Sequence, residues 1–333
     1  MNHKVVFNVF KASIALLTLG YVAYQMLFVA DPLSFFKHFQ VFDPIFGFLL
    51  FLVLVGVVAN WGSEVLKWKF LYSRIYGISK VQALKGVLSG CAISIWMPNR
   101  TGDYLGRIMF LPGRYYGKAV VASVFGNLVQ LFVTVLAGFL ALMFLGLVFL
   151  PNDSALILGL VSGPFLIVLL GVCFYPVLFV KLAPYKVKNF PIRKYLLVLV
   201  KYDIRDRLKI IGFSMLRYGF FLLQYVLLLW AFQVEITFMQ AIAGVSLVFL
   251  VQSVIPSFAL MEAGVRGAAS LYFIGLFAGN ETGILMASYG LWMFNLVVPA
   301  LAGTYFITKE GIVASKEIYS PINSLFSNFQ VRS

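Results

Sequence analysis

The chain alternates long apolar runs with short polar segments, and this pattern predicts membrane-spanning helices. A run of about 20 apolar residues is long enough to cross the hydrocarbon core of a bilayer as a helix. Runs of this kind can be placed at residues 5–30, 44–64, 119–150, 155–181, 210–232 and 283–308. We therefore expect about six full transmembrane helices.

Two further apolar runs, residues 81–97 and 238–255, each lead into a segment that carries Pro, Gly and charged residues. In both segments a Pro is followed by an acid and then by an Arg four positions after the acid. Side chains four residues apart are neighbours on one face of a helix, and Pro and Gly interrupt helices. The recurrence predicts two broken helical hairpins. The residues concerned are Pro98, Asp103 and Arg107 in the first segment and Pro256, Glu262 and Arg266 in the second.

Basic residues between the apolar runs predict the orientation of the chain, because cytoplasmic loops are enriched in Lys and Arg. This rule places both termini and the basic loop 181–209 in the cytoplasm. A full crossing by residues 81–97 would leave Arg100, Arg107 and Arg114 outside, so a hairpin that returns to the cytoplasm fits better. Residues 238–279 start and end outside, either as a second re-entrant hairpin or as two full spans.

These patterns predict an all-α polytopic membrane protein with about six transmembrane helices and two re-entrant or broken hairpins. An inverted repeat would bring the two breaks together near the middle of the bilayer. We expect one integral-membrane domain over residues 1–310, with one motif in the half 1–150 and the other in the half 151–310. Residues 311–333 are expected to form a cytoplasmic tail.

The composition excludes a soluble globular domain, since 62% of the 333 residues are hydrophobic and 11% are charged. The formal net charge of +14 does not indicate nucleic acid here, because the basic residues gather between apolar runs. We expect a location in the cell membrane and membrane lipids as partners. A second copy of the chain and a protein of cell-envelope synthesis are left open as protein partners.

No P-loop, nucleophile elbow or zinc-binding motif occurs in the sequence, so we predict no catalytic residue, metal or cofactor. The segment 60–74 contains Trp61, Trp68 and several lysines. It is predicted to be the interfacial end of a helix, with the tryptophans at the level of the lipid headgroups.

Charged residues within the broken hairpins are the candidate binding site. A charge at the middle of a bilayer costs about 2.5–3.5 kcal/mol on insertion scales, so it needs a partner, water or a ligand. We interpret Arg100, Arg107 and Arg266 as donors of bidentate hydrogen bonds to an anionic headgroup, with Asp103 and Glu262 orienting the guanidinium groups. The alternatives are that each acid–arginine pair is a self-contained salt bridge at the membrane edge, or that the motif residues only cap short interfacial helices. Further candidates for lining the cavity are Pro98, Gly102, Asn127, Gln130, Arg217, Gln224, Gln252, Pro256, Gly264 and Asn295.

At the two interrupted segments the chain resembles the lysylphosphatidylglycerol synthase transmembrane-region family, a flippase-like membrane domain. The first signature of that family runs Pro-Gly-Arg-x-Gly-Glu, with an Arg shortly after. Asn99 replaces the Gly here, and Arg107 lies one residue late. The matching residues are Pro98, Arg100, Gly102 and Asp103.

The second signature of the family is a Pro, then a Gly pair, then Gly-Val-Arg-Glu. The Gly pair is missing here and Gly267 stands in place of the Glu, so Glu262 would supply the acid. The matching residues are Pro256, Gly264, Val265 and Arg266.

The resemblance implies two re-entrant hairpins that meet in the bilayer and translocation of charged lipids or lipid-linked intermediates. The aminoacyl-lipid synthase fused to some family members has no counterpart after the last apolar run, so aminoacyl transfer is not expected. We expect a flippase-like transporter of an anionic phospholipid or a polyprenyl-phosphate-type intermediate. A membrane enzyme or accessory subunit of cell-envelope glycan or lipid modification, and a small-molecule transporter, are left open as alternatives.

Overall fold

The structure, a computed structural model, describes residues 44–97, 100–149, 192–255 and 259–309, with isolated positions between 163 and 181. The helices of the described residues are α1 Pro44–Ser73, α2 Lys80–Ser94, α3 Gly102–Ile108, α4 Tyr116–Phe149, α5 Ile192–Leu196, α6 Ile204–Ala231, α7 Phe238–Val254, α8 Ala259–Phe273 and α9 Glu281–Lys309. Short 3-10 helices, Gly113–Tyr115 and Leu197–Lys201, precede α4 and follow α5. No strand occurs within these described ranges.

Four helices, α1, α4, α6 and α9, are long and apolar enough to cross a membrane. They correspond to four of the six predicted spans and support the predicted class of all-α membrane protein. Large apolar side chains on α1 face outward, with Phe48 61% and Val58 74% exposed, as expected for a surface that meets lipid. The predicted span 5–30 and the tail 311–333 lie outside the described residues, and the span 155–181 lies mostly outside them.

The helix bundle has two distinct ends. At one end, which we call the Arg74 end, Tyr202 donates a hydrogen bond to the Leu71 carbonyl at 2.7 Å, and Arg74 forms a 2.7 Å ion pair with Asp206. The hydrogen bond and the charge of Asp206 raise the pKa of Arg74. Lys201 donates to the Arg74 carbonyl at the same end. The end of α1 is therefore fixed to the start of α6.

At the opposite end, which we call the Asn280 end, the amide of Asn280 donates to the carbonyls of Phe232 and Gln233, each at 3.2 Å. The rings of Phe46 and Phe232 lie 6.1 Å apart. This end therefore joins the start of α1, the end of α6 and the start of α9.

Helices α2 and α3 form the first hairpin and pack closely against each other in antiparallel orientation. Ser79 and Gln82 form a capping box at the start of α2, near the Arg74 end. The two helices approach closely because Gly90 faces Gly106, where an added Cβ on Gly106 would lie 2.2 Å from the Gly90 nitrogen. Residues 98 and 99, which connect the two helices with Arg100 and Thr101, lie outside the described residues.

Helices α7 and α8 form the second hairpin, which begins and ends near the Asn280 end. A capping box of Thr237 and Gln240 starts α7. The 15 residues of α2 and the 17 residues of α7 rise about 22 and 26 Å at 1.5 Å per residue, less than the roughly 30 Å of a hydrocarbon core. Helix α2 starts near the Arg74 end and α7 starts near the Asn280 end.

The close packing of α2 on α3 can be tested by adding a methyl group at the contact. Gly106→Ala places a Cβ against the backbone of Gly90, and we expect such overpacking to destabilise the protein by about 1–3 kcal/mol. The measurement is the midpoint of thermal unfolding of the purified protein in detergent.

The matched control is Gly62→Ala on α1, where an added Cβ meets nothing within 4 Å. Because Ala favours a helix over Gly by about 1 kcal/mol, this variant should melt at the wild-type temperature or above it. Equal losses in both variants would show that the α2–α3 contact is not as described.

Candidate functional site

A buried carboxylate, Glu64 on α1, holds three cationic side chains together. Its Oε2 lies 2.7 Å from Lys67 Nζ and 2.8 Å from Arg217 Nη1, and its Oε1 lies 2.7 Å from Arg107 Nη2. The Glu64 side chain is 0% exposed. Arg107 also binds Asp103 in a bidentate pair, from Nε to Oδ1 at 2.8 Å and from Nη2 to Oδ2 at 2.7 Å. We call these five residues the Glu64 cluster.

The local sequence explains part of this cluster. Glu64 and Lys67 are three apart on α1, and Asp103 and Arg107 are four apart on α3, so each pair shares a helix face. The contact between Asp103 and Arg107 confirms the prediction that these two side chains are neighbours on one helix face. The guanidinium of Arg107 also lies 4.8 Å from the centroid of the Trp68 ring, a cation–π contact that shields it from water.

A second group of polar residues surrounds Glu262 at the start of α8. Arg266 Nη2 donates to Glu262 Oε1 at 2.8 Å, as predicted from the spacing of four. Arg100, which precedes α3, reaches across from the first hairpin and donates through Nε to Glu262 Oε2 at 3.1 Å. Gln252 on α7 donates to the same carboxylate and accepts a hydrogen bond from Arg266. We call Arg100, Gln252, Glu262 and Arg266 the Glu262 cluster.

Arg100 connects the breaks of the two hairpins. Its backbone is left-handed, with φ 55°, a conformation that non-glycine residues rarely adopt and that costs on the order of 1–3 kcal/mol. The ion pair with Glu262 orients the side chain in spite of this cost. The two hairpins start from opposite ends of the bundle, and the Arg100–Glu262 ion pair links one to the other.

Amide side chains link the Glu64 cluster to α9. Arg217 donates to Asn60 Oδ1 at 3.3 Å, and Asn60 donates to Asn295 Oδ1 at 2.7 Å. Asn295 in turn donates to Gln224. Asn295 lies in a π-helical segment of α9, Met293–Val297, and such segments are common at functional sites.

A cavity of about 270 Å³ lies between the two clusters. Its cationic wall comes from both clusters, and aromatic rings of α6 and α7 form another part of the wall. At its edge Ser253 is exposed, and the neighbouring Val254 is 66% exposed. The lining residues are Arg100, Gln130, Thr134, Arg217, Tyr218, Phe221, Phe249, Gln252, Ser253, Arg266, Trp292, Asn295 and Leu296.

Arg266 has one nitrogen, Nη1, for which the described residues provide no hydrogen-bond partner, although its side chain is only 5% exposed. A buried donor without a partner costs about 1–3 kcal/mol. The side chain lines the cavity, so a group bound there can accept this hydrogen bond.

Six of the predicted cavity residues line this cavity: Arg100, Gln130, Arg217, Gln252, Arg266 and Asn295. Pro98 and Pro256 lie outside the described residues. The other candidates have different positions. Gly102 packs against Ile93 of α2, Asn127 donates to Tyr104, Gln224 accepts from Asn295, and Gly264 is exposed on α8.

The hypothesis that both hairpin pairs face one cavity is only partly met. Arg266 lines the cavity and is bound by Glu262 behind it. Arg107 and Asp103 do not line it, because Arg107 is held between Asp103, Glu64 and the Trp68 ring. Arg217 takes the place at the cavity wall that was expected for Arg107.

The interfacial interpretation of residues 60–74 is wrong for its central residues. Lys67 is 0% exposed and Trp68 1% exposed, and both pack inside the bundle with Glu64. The sequence does contain a signal for this position. Asn60, Glu64 and Lys67 recur at helical spacing in an apolar helix, and an acid in such a helix needs a buried partner.

Comparisons of the chain with models of protein families, with curated proteins and with solved structures found no match. The resemblance of the motif segments to the synthase transmembrane-region family therefore stays a prediction. Among the described motif residues, the charged ones lie in the two clusters, with Arg100, Asp103 and Arg107 from the first signature and Arg266 from the second.

The Glu64 cluster generates a second test. Glu64→Gln leaves three buried cations without their shared carboxylate, and we expect a loss of about 3–5 kcal/mol in unfolding free energy. The readout is again the thermal unfolding midpoint in detergent.

Glu235→Gln is the same chemical change at an exposed position and should alter stability by no more than about 0.5 kcal/mol. If Glu64→Gln and the Glu235→Gln control unfold at the same temperature, Glu64 does not hold the cluster together.

Proposed function

We propose that the chain is a flippase-like transporter that moves an anionic phospholipid or a polyprenyl-phosphate-type intermediate between membrane leaflets. The observation that carries the proposal is the cavity between the Glu64 and Glu262 clusters, which three arginines line: Arg100, Arg217 and Arg266. The four long apolar helices of the described residues support a membrane setting, and three of them, α4, α6 and α9, line the cavity.

The chemistry of the wall favours an anion as ligand. Guanidinium groups bind phosphate and carboxylate oxygens through two parallel hydrogen bonds, and they do so most strongly where water is scarce. Arg266 presents a nitrogen that has no partner among the described residues. Arg217 and Arg100 are each held by a carboxylate of their own cluster, so all three cations are oriented before a ligand arrives.

The shape of the cavity favours a lipid headgroup. A volume of about 270 Å³ holds a headgroup but not acyl chains, so the chains would stay outside. Tyr218, Phe221 and Phe249 form an aromatic part of the wall, and Val254 is an exposed apolar residue next to the cavity edge at Ser253. Such an edge lets acyl chains remain in the bilayer while the headgroup enters.

We further propose that the two hairpins are re-entrant and belong to an inverted repeat, with the Arg74 end in the cytoplasm. Their opposite starting ends, their short first helices and the meeting of Arg100 with Glu262 support this arrangement. Basic residues gather at the Arg74 end, as expected of a cytoplasmic face. They include Arg74, Lys80, Arg114, Lys201 and Lys209.

Lipid movement in reconstituted vesicles tests the function. Arg266→Gln removes a cavity cation, and we expect it to abolish lipid movement. In the wild type, an impermeant quencher added outside should also remove the fluorescence of a phosphate-bearing lipid from the inner leaflet, and in the variant the inner-leaflet lipid should stay protected. Arg193→Gln, an exposed substitution on α5, should move lipid at the wild-type rate.

The melting temperature of each variant is measured alongside, so that a folding defect is recognised. Wild-type movement by folded Arg266→Gln would contradict the proposal. Movement of a small soluble anion with no movement of lipid would favour the small-molecule transporter instead.

The orientation is tested by thiol labelling of single-cysteine substitutions in intact cells. We expect an impermeant reagent to label Glu281→Cys at the Asn280 end, and to label Lys80→Cys at the start of α2 only after permeabilisation. The native Cys91 and Cys173 are buried and provide an unlabelled background. Labelling of both positions from the same side would contradict hairpins that enter from opposite faces.

A further inference from the structure

The two clusters at the cavity carry unequal numbers of positive and negative groups. In the Glu64 cluster three cations, Lys67, Arg107 and Arg217, face two carboxylates, Glu64 and Asp103. In the Glu262 cluster two arginines face one carboxylate. With every group in its ordinary ionised form, each cluster therefore has one positive charge in excess.

The excess charges face the same space. Arg217 of α6 brings the Glu64 cluster to the cavity wall. Arg100 of the first hairpin and Arg266 of the second bring the Glu262 cluster to it. The cavity thus has a cationic surface on two sides. Gln130 lines the cavity and accepts a hydrogen bond from Lys67 at 3.3 Å, so it connects Lys67 of the Glu64 cluster to the cavity wall.

The three carboxylates are already included in this count, and each is paired with cations of its own cluster. Glu64 binds three cations and Asp103 forms a bidentate pair with Arg107. Glu262 accepts from Arg100, Arg266 and Gln252. Arg217 and Arg266 are only 13% and 5% exposed, and uncompensated charge is costly at such sites, whereas Arg100 is 45% exposed. A bound anion would offset the excess positive charge of both clusters.

We infer that the cavity is matched to a phosphate group that carries two negative charges, a phosphomonoester or a diphosphate, in preference to a singly charged phosphodiester. This inference rests on the proposed function and narrows its substrate class. A phosphomonoester carries about −1.5 to −2 at pH 7 and offers three acceptor oxygens. A phosphodiester would leave one of the two clusters with its excess cation.

The geometry agrees with this charge count. Arg100 and Arg266 belong to the cluster that joins the hairpin breaks, and Arg217 belongs to the cluster centred on α1. A group with several terminal oxygens can accept from both clusters at once. The same chemistry occurs on a phosphomonoester lipid, on a polyprenyl phosphate or diphosphate, and in free diphosphate.

Binding of matched ligands to the full chain tests the inference. The purified protein is placed in nanodiscs of neutral phosphatidylcholine that contain either dioleoyl phosphatidic acid or dioleoyl phosphatidylglycerol, which share acyl chains but carry a monoester and a diester. We expect the monoester to bind about tenfold more tightly or better, since it makes an additional close charge interaction. Native mass spectrometry of competing lipids measures the ratio.

Two charge-adding variants examine the cause of the preference. Gln130→Glu and Ser253→Asp each add a negative charge at the lining, so the ratio should fall toward one. Gln130→Met and Ser253→Asn remove the same side chains without adding charge and should keep the preference for the monoester, even where absolute affinity falls. Two positions on different helices keep the test open if one variant does not fold.

Inorganic pyrophosphate and a polyprenyl monophosphate distinguish the sources. If inorganic pyrophosphate is sufficient to displace phosphatidic acid, the site recognises the phosphate group itself. Displacement only by the polyprenyl monophosphate would support a lipid-borne phosphate.

Equal binding of the two phospholipids by the wild type, or a preference that survives both charge additions, would overturn the inference. If Arg266→Gln then abolishes the binding of both lipids, an anionic lipid site remains and only its preference for two charges is lost. If Arg266→Gln changes neither, the proposed function fails as well.

Discussion

The architecture depends on one constraint, the need to compensate charge inside an apolar helix bundle. Glu64 satisfies it by binding cations from its own helix, from the first hairpin and from α6. Breaking such a pair typically costs about 3–5 kcal/mol. The Arg107–Glu64 contact therefore connects α3 to α1, and the Arg217–Glu64 contact connects α6 to α1, while Gly90 and Gly106 let α3 pack closely on α2.

In the second hairpin the buried charge of Glu262 is also compensated, but by a different set of partners. Glu262 is paired within its own helix by Arg266, and its other partner, Arg100, comes from the break of the first hairpin. The two breaks thus share one ion pair, while the bodies of the hairpins belong to opposite ends of the bundle. Arg100 belongs both to the cavity wall and to the contact that connects the hairpins.

Local patterns were sufficient to predict the helices and the pairs within them. Apolar runs located α1, α4, α6 and α9, and the spacing of four located the Asp103–Arg107 and Glu262–Arg266 contacts. The partners between helices were not predictable in this way. Glu64 and Arg217 lie 153 positions apart in the sequence, and their contact depends on how α1 packs against α6. The misassigned Lys67 and Trp68 show the same limit, since Trp and Lys occur both at membrane interfaces and in buried clusters.

The excess positive charge at the cavity does not come from the acid–arginine pairs of the two motifs. Each acid–arginine pair within a hairpin is neutral, so the motif pairs alone supply no net attraction for an anion. The excess comes from cations outside those pairs, Arg100 in one cluster and Lys67 with Arg217, less Glu64, in the other. Arg107, held on three sides, orients α3, whereas Arg266 keeps a nitrogen available at the cavity. Two arginines that look equivalent in the sequence therefore have different roles, because only one of them reaches the space where a ligand can bind.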